Sequence, residues 1–145
     1  MMDKKTPVVA VSGGFDPVHI GHIRMIRDAA NYGDVVIILN SDNWLFKKKG
    51  FFFMPYEDRK EILESIKGVV DVVSAGDYYD DDTVCVALEE LRPDYFANGG
   101  DRKLDNTPET ELCKRLGIEP LWNIGGGKKR SSSELVKRFK EKQGK

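Results

Sequence analysis

Two histidines three residues apart, His19 and His22, follow a glycine pair and a short apolar run. The run, Val8–Val11, is typical of a buried strand, and the residues after Gly21 have helical spacing. Strand, glycine turn and helix form a phosphate-binding layout, because glycines let backbone N–H groups approach an anion and the helix N-terminus adds a favourable field. Histidines at i and i+3 share one helix face, and each can donate a hydrogen bond to a phosphate. The stretch from Ser12 to His22 therefore predicts an anion site.

The same stretch also has a purely structural interpretation, in which the turn is tight and the two histidines only cap the helix. Its glycine spacing is neither GxGxxG nor GxxxxGK[ST], so neither of those nucleotide motifs applies. Asp16 either orients the turn or touches the ligand. The candidate nucleotide-binding residues in this stretch are Ser12, Gly13, Gly14, Phe15, Asp16 and Gly21.

The letters Gly-Gly-Phe-Asp-Pro followed by His-Ile-Gly-His resemble the HxGH signature of the cytidylyltransferase-like nucleotidyltransferases. The resemblance extends from Val8 to about Phe139. Tyr56–Leu63 resembles the glycerol-3-phosphate cytidylyltransferases, whereas Asn98–Asp101 and the later half resemble the heptose-1-phosphate adenylyltransferases. The resemblance implies transfer of CMP or AMP from CTP or ATP, with a slight preference for CTP, to a small phosphorylated acceptor such as a polyol phosphate or a sugar 1-phosphate. It also implies release of pyrophosphate, Mg²⁺ bound with the triphosphate, and a homodimer.

The resemblance also implies roles for residues beyond the first turn. His19 and His22 would contact the α- and β-phosphates, while Lys49 and Arg59 would neutralise triphosphate or acceptor charge. Lys47 is the second choice for the lysine and, with Asn40, a candidate acceptor contact. The nucleotide contacts implied later in the chain are Asn98, Gly100, Asp101, Arg130, Ser131, Ser132 and Ser133.

These residues need a scaffold, and the apolar pattern predicts five strands that alternate with helices. Such alternation is typical of a parallel sheet with right-handed crossovers. We therefore expect a single α/β, Rossmann-like domain over residues 1–145, with helices on both faces of a five-stranded parallel sheet. Three glycine-rich loops would then converge at strand ends, namely 13–22, 98–102 and 125–133. The predicted strands are 8–12, 35–39, 69–74, 95–97 and 121–124.

Residues 44–55 are basic and aromatic and show no helical period, which predicts a mobile loop over the site. Its lysines are either phosphate ligands or a solvated surface run. Phe51–Phe53 is a large apolar surface for a loop, and we expect it to pack against the protein or a second subunit. Pro55 suits the first turn of a helix, whose buried stripe is predicted to be Ile62, Leu63 and Ile66. A last helix would follow Ser131–Ser133.

Composition limits the class of protein. The chain has 145 residues and a formal net charge of −1, which gives no general attraction to nucleic acid or anionic membranes. No apolar run is long enough to span a bilayer, and Met1–Lys5 lacks the apolar stretch that is typical of a signal peptide. The two cysteines, Cys85 and Cys113, form no metal or disulfide pattern, so we expect buried helix positions and a reduced, cytoplasmic compartment.

Two other classes of function are compatible with these motifs. A non-catalytic nucleotide-binding module would use the same fold without releasing pyrophosphate. A fragment related to class I aminoacyl-tRNA synthetases would share the HIGH letters, although the balanced charge and the lack of a tRNA-binding appendage disfavour it.

Overall fold

The computed structural model describes residues 6–76, 83–99 and 107–125. In these residues strands and helices alternate as predicted, with one additional helix. The elements are β1 (Val8–Gly13), α1 (Ile20–Ala29), β2 (Asp34–Leu39), α2 (Asp42–Lys49), α3 (Tyr56–Glu64), β3 (Val69–Ser74), α4 (Cys85–Leu91), β4 (Tyr95–Gly99), α5 (Pro108–Leu116) and β5 (Glu119–Ile124).

The five strands form one parallel sheet in the order β3-β2-β1-β4-β5. The chain first moves outward from β1 to β3 and then returns to the other side of β1 for β4 and β5. This reversal creates a crevice between the carboxyl ends of β1 and β4, the place where open α/β sheets bind ligands. The predicted α/β class and five-stranded parallel sheet are confirmed.

Alternating residues of the central strands pack on opposite faces of the sheet. Val9 and Val11 of β1 belong to a buried cluster that includes Ile26 of α1 and Leu63 of α3. Ala10, between them, belongs to a second cluster, with Leu88 of α4 and Leu112 and Cys113 of α5. Because each face is covered by two helices, the buried parts of these strands, Val9–Val11 of β1 and Val35–Leu39 of β2, are entirely apolar. The prediction of helices on both faces is therefore confirmed.

The predicted loop over residues 44–55 is wrong in its first half, because Asp42–Lys49 forms α2. The Ser41 side chain caps this helix by accepting a hydrogen bond from the Trp44 backbone N–H. Gly50 ends it in the left-handed conformation, with φ of 81°. Leu45 is the only buried residue of α2, so the helix lacks the apolar stripe by which helices are predicted from sequence.

The helix α3 differs from its prediction in three respects. Pro55 is the N-cap rather than a first-turn residue, and Ile62 is 41% exposed. Ile66 follows the end of the helix and packs against the core from there. The buried residues of α3 are Leu63, as predicted, and Arg59. A charged side chain thus occupies a buried position of the helix, where the sequence analysis expected isoleucine.

Cys113 is fully buried in the core, where burial raises the pKa of its thiol to about 11. Cys85 is half-buried at the start of α4 and packs against the same cluster. Both positions agree with the structural role predicted for them. No helix in the three described ranges has the length and hydropathy needed to cross a membrane.

Candidate active site

The turn between β1 and α1 lies at the carboxyl end of β1, beside the end of β4. Gly13 is the last residue of β1 and pairs with Leu39 of β2, while Gly99 is the last residue of β4. The fold therefore brings the first predicted glycine loop and the start of the second, Asn98–Gly99, to the same edge of the sheet, at the crevice between β1 and β4.

The two histidines form a stacked pair at the start of α1. Their ring centroids are 3.8 Å apart with an interplanar angle of 26°. His19 is the N-cap, and its Nδ1 accepts a hydrogen bond from the Gly21 backbone N–H at 3.1 Å. The Nδ1 of His22 accepts one from the His19 backbone N–H at 3.2 Å. The two side chains thus form a reciprocal capping box.

These hydrogen bonds determine which nitrogen of each ring carries the hydrogen and can act as a donor. A neutral imidazole has one N–H donor and one acceptor, and in both rings Nδ1 is the acceptor. The hydrogen of each neutral ring must therefore be on Nε2. The structural interpretation of the histidines as caps describes Nδ1 of both rings, and the donor of each neutral ring is Nε2–H.

The Phe15 ring packs against the ring of His22. Phe15 is buried, and its ring centroid lies 4.7 Å from that of His22. Its backbone φ of 51° lies in the left-handed region, which a bulky residue rarely adopts. A side chain on Gly13 would meet the Phe15 ring, because a Cβ there would lie 3.1 Å from its edge. Gly13 thus lets Phe15 pack beneath His22.

Asp16 holds the turn against the segment that precedes α3. It is 1% exposed, and its two carboxylate oxygens accept hydrogen bonds from the backbone N–H groups of Phe53 (2.7 Å) and Met54 (2.8 Å). Its backbone carbonyl accepts a hydrogen bond from Lys49 Nζ at 3.1 Å. Of the two roles considered for Asp16, this geometry favours orientation of the turn.

Arg59 is fully buried and joins four segments around the site. Its Nε donates to the Met54 carbonyl at 3.0 Å, and its Nη1 donates to the carbonyls of Gly14 and Asn40, each at 2.8 Å. Its Nη2 donates to Asp42 Oδ1 at 2.7 Å. Four of its five N–H donors are therefore used within the protein. These contacts hold the turn in place, and the role of Arg59 toward a phosphate stays a prediction.

Lys49 is the lysine that the structure brings to the turn. Its ammonium contacts the Asp16 carbonyl, whereas Lys47 and Lys48 are exposed, with Lys48 Nζ 5.7 Å from the centre of the Trp44 ring. Burial lowers the pKa of Lys49 below its ordinary value of 10.5, the Asp16 charge raises it, and the Arg59 charge lowers it further. The structure thus separates Lys49 from its neighbours, and the choice of Lys49 over Lys47 as the phosphate ligand stays a prediction.

Two of the predicted ligand residues make hydrogen bonds with the protein backbone. Asn40 is 5% exposed; its backbone N–H donates to Gly13 and its carbonyl accepts from Arg59. The Asn98 side-chain amide donates to the carbonyls of Phe96 and Leu121, each at 3.3 Å. Asn40 through its backbone, and Asn98 through its side chain, therefore hold neighbouring backbone segments in place beside the crevice. Predicted residues outside the described ranges are Gly100, Asp101, Arg130, Ser131, Ser132 and Ser133.

The remaining residues of the turn are held closely. Ser12 lies in β1 opposite Ile38 of β2. Gly14 packs on α2, since a Cβ there would lie 2.7 Å from Leu45 Cδ2. Gly21 gives its N–H to the His19 cap. The turn between β1 and α1 is therefore fixed by strand pairing, by packing on α2 and by the hydrogen bond to His19.

One contact at the site was missed by the sequence analysis. Gly125, directly after β5, donates its backbone N–H to Asp28 of α1 at 2.6 Å. Its φ is 88°, and a Cβ there would lie 2.8 Å from the Cα of Met25. Only the glycine run 125–127 hinted at this close approach. The contact holds Gly125, at the end of β5, against α1, the helix that carries the histidines.

Comparison with known proteins agrees with this geometry. Residues 10–138 match the family described as cytidylyltransferase-like. The bifunctional protein HldE of Streptomyces coelicolor is 37% identical over 139 residues, which are 92% of this chain and 28% of HldE. The D-beta-D-heptose 1-phosphate adenylyltransferase of Bordetella bronchiseptica is 35% identical over 115 residues, 77% of this chain and 68% of that protein. The FAD synthase of Pyrococcus abyssi is 33% identical over 113 residues, 77% of this chain and 74% of that enzyme.

A solved structure shares the fold. The lipopolysaccharide core biosynthesis protein from Thermoplasma volcanium superimposes with a TM-score of 0.67 at 22% identity, covering 82% of this chain and 97% of the other. The chain spans little more than a quarter of the bifunctional HldE relative, and more than two thirds of the adenylyltransferase and the FAD synthase. On the match over most of its length, the chain belongs to the cytidylyltransferase-like family of nucleotidyltransferases.

Proposed function

We propose that this chain transfers a nucleoside monophosphate from a nucleoside triphosphate to a small phosphate ester and releases pyrophosphate. The observation that carries the proposal is the stacked histidine pair, whose Nδ1 atoms are both held by backbone N–H groups. This arrangement presents two preorganised Nε2–H donors at a helix N-terminus, a combination suited to a polyphosphate.

The reaction is a single in-line displacement. An oxygen of the acceptor's phosphate attacks the α-phosphorus, a new P–O–P bond forms, and the bond between the α-phosphorus and its bridging oxygen to the β-phosphate breaks. That oxygen leaves with the pyrophosphate and takes the bonding electrons. The attacking oxygen is already anionic at neutral pH, so the chain needs to supply position and charge neutralisation rather than a strong base.

The residues of the site divide this work. His19 and His22 donate to the α- and β-phosphate oxygens, where negative charge develops as the bond breaks. Lys49 adds a cation beside the turn. Arg59 and Asp16 keep the turn, the end of β2 and the Phe53–Met54 segment in register. Ser131–Ser133, with Arg130, and the segment 98–101 are proposed to complete the nucleotide contacts.

Magnesium is proposed to enter as the metal complex of the triphosphate. Across the described ranges no group of three or more His, Cys, Asp or Glu side chains gathers as a metal site. Both carboxylate oxygens of Asp16 accept backbone N–H groups, and Asp42 pairs with Arg59. Mg²⁺ is commonly bound through substrate phosphates and water with few protein ligands, which fits these residues.

ATP is the proposed donor, because the Bordetella relative is named an adenylyltransferase. This revises the slight preference for CTP, which depended on the Tyr56–Leu63 segment alone. The acceptor is proposed to be a phosphate monoester, the broad class that includes the heptose 1-phosphate for which that relative is named.

The direct test is a pyrophosphate-release screen that crosses ATP and CTP with a panel of phosphate monoesters in the presence of Mg²⁺. We expect release only when triphosphate and acceptor are both present, and a faster rate with ATP. Triphosphate binding without release for every acceptor would support a non-catalytic nucleotide-binding module instead. Tight RNA binding that weakens steeply with salt would support a relation to aminoacyl-tRNA synthetases.

A further inference from the structure

An exposed aromatic surface adjoins the proposed active site. Phe52 and Phe53 are 40% and 50% exposed, and Phe51 is half-buried with its ring centroid 5.4 Å from that of Phe53 in an edge-to-face contact. We call these three residues the phenylalanine rim. The sequence analysis expected them to pack against the protein or a second subunit, but within this chain Phe52 and Phe53 remain largely uncovered.

The phenylalanine rim is attached to the phosphate end of the site. The Phe53 backbone N–H is bonded to Asp16 Oδ2, and the Asp16 carbonyl accepts Lys49 Nζ. One residue thus contacts both the rim and the lysine proposed to neutralise phosphate. The next residue, Met54, is held by Asp16 and by Arg59, so the backbone of the rim is fixed although its rings are exposed.

Exposed apolar surface on a fixed backbone has an energetic cost that a bound ligand can relieve. Two largely exposed phenylalanines side by side are more than the isolated apolar residues that any surface carries. Their side chains contain only carbon and hydrogen, so they offer no hydrogen bond to a hydroxyl group. A phosphate held near Lys49 would bring its organic part toward a surface that favours rings and alkyl groups over polyols.

We propose that the acceptor is a phosphate monoester whose organic part is an aromatic or aliphatic group rather than a polyhydroxylated chain or sugar. The proposal rests on the function proposed above and specifies the substrate class of the same site. Phe53 and Phe52 are the specificity-determining residues, because Asp16 bonds both the Phe53 backbone and Lys49, and both rings are partly exposed.

The experiment measures kcat and KM for pyrophosphate release with two sets of acceptors. The apolar set is phenyl phosphate and hexyl phosphate, and the polyol set is glycerol 3-phosphate and a hexose 1-phosphate. We expect the highest kcat/KM from the apolar set. In Phe53→Ala we expect KM for that set to rise about tenfold, the scale of one apolar contact, with kcat nearly unchanged. KM for the triphosphate should not change.

Tyr32→Ala is the matched control. Tyr32 is 41% exposed, like Phe52, but it lies just before β2, at the opposite end of the sheet from the turn. Its removal deletes a comparable exposed ring and should leave the acceptor ranking unchanged. Phe52→Ala provides a second, independent variant of the rim.

The outcomes separate this inference from the proposed function. Faster turnover of the polyol set, with no effect of Phe53→Ala, would overturn the acceptor class and leave nucleotidyl transfer intact. An unchanged acceptor ranking together with a smaller sedimentation coefficient in Phe53→Ala would assign the rim to a second copy of the chain, and would likewise overturn it. Absence of pyrophosphate release with every acceptor would contradict the proposed function itself.

Discussion

The two sides of the proposed site are built in opposite ways. On one side, the turn residues Phe15 and Asp16 are almost completely buried, and Arg59 beneath them is fully buried. On the other side, Phe46 of α2 is 59% exposed, Lys47 and Lys48 are exposed, and Phe53 is 50% exposed. A tightly bonded turn therefore adjoins a surface that is half open to solvent.

This difference assigns the two sides different tasks. Charge stabilisation requires donors that are already in place when charge develops, and the buried turn provides this preorganisation. Recognition of an acceptor depends on side chains that the acceptor can reach at the surface. Substitution of such side chains leaves most contacts within the protein intact. We therefore expect substitutions in the turn to reduce kcat and substitutions in the exposed segment to alter KM and acceptor choice.

The largest effect is expected from the histidines, and His19→Asn distinguishes a phosphate donor from a helix cap. Asparagine is a good N-cap, so the helix should keep its stability within about 0.5 kcal/mol. It lacks the Nε2–H donor, so kcat should fall by about a hundredfold or more. His22→Ala should also slow turnover by about a hundredfold. Pyrophosphate release and thermal melting measure the two properties.

A cap-only role makes the opposite prediction for the same variant. Retention of near-normal turnover by His19→Asn, with loss of stability in His19→Ala, would remove the pair from the chemistry and restore the structural interpretation.

The next largest effect is expected at Arg59. Arg59→Met leaves the carbonyls of Gly14 and Asn40 without this donor and Asp42 without its ionic partner. We expect the free energy of unfolding to fall by about 3 kcal/mol. Lys60→Met is the control, because its exposed pair with Glu64 contributes less than about 0.5 kcal/mol. Urea unfolding of both variants measures the difference.

Arg59→Lys tests whether Arg59 acts by holding the turn in position or by its charge alone. A lysine keeps the charge but cannot bond four acceptors in a planar fork. We expect a larger loss in kcat than in triphosphate affinity. Loss of triphosphate affinity alone would instead indicate that Arg59 contacts phosphate directly.

Gly125→Ala should destabilise the chain by about 2 kcal/mol, because a Cβ would meet the backbone of Met25 and the φ of 88° disfavours alanine. Gly117→Ala is the matched control. It has a similar φ of 75° but open space around the Cβ position, so it should cost about 1 kcal/mol. Equal losses in the two variants would show that the close approach to α1 contributes nothing.

The smallest effect concerns Lys49 and pH. Burial lowers the pKa of its ammonium, so the charge is lost at a lower pH than for an ordinary lysine at 10.5. If the charge assists turnover, kcat/KM falls as pH rises through this lowered pKa. Folding behaves oppositely: ionised Lys49 is disfavoured in the native state, so stability increases as pH rises from that pKa toward 10.5.

Lys49→Arg should move this alkaline decline in kcat/KM to higher pH, because arginine stays protonated. Lys49→Ala should lower kcat/KM about tenfold at neutral pH, the effect of a single partly exposed charge. The exposed Lys48 serves as control, and Lys48→Ala should change neither the rate nor the pH profile. A wild-type profile in Lys49→Arg would exclude Lys49 as the titrating group.

The sequence predicted the fold and the turn well because both follow from local patterns. Continuous apolar runs such as Val35–Leu39 identify strands covered on both faces, and glycine and histidine spacing identifies the turn. Sequence patterns did not predict the features that depend on tertiary contacts. The helix α2 buries only Leu45, so its period is absent from the sequence. The contacts of Arg59 with Gly14, Asn40 and Met54 could not be predicted either, because only the fold brings these residues together.

The central claim is that both imidazoles carry their hydrogen on Nε2 and donate it to a polyphosphate. The chain has only two histidines, so long-range ¹H–¹⁵N correlation spectra of the rings can be assigned with His19→Asn. We predict the Nε2–H tautomer for both rings, and a shift of both Nε2 signals on addition of α,β-methylene ATP with Mg²⁺. Rings protonated on Nδ1, or Nε2 signals that do not respond to saturating nucleotide, would contradict the account.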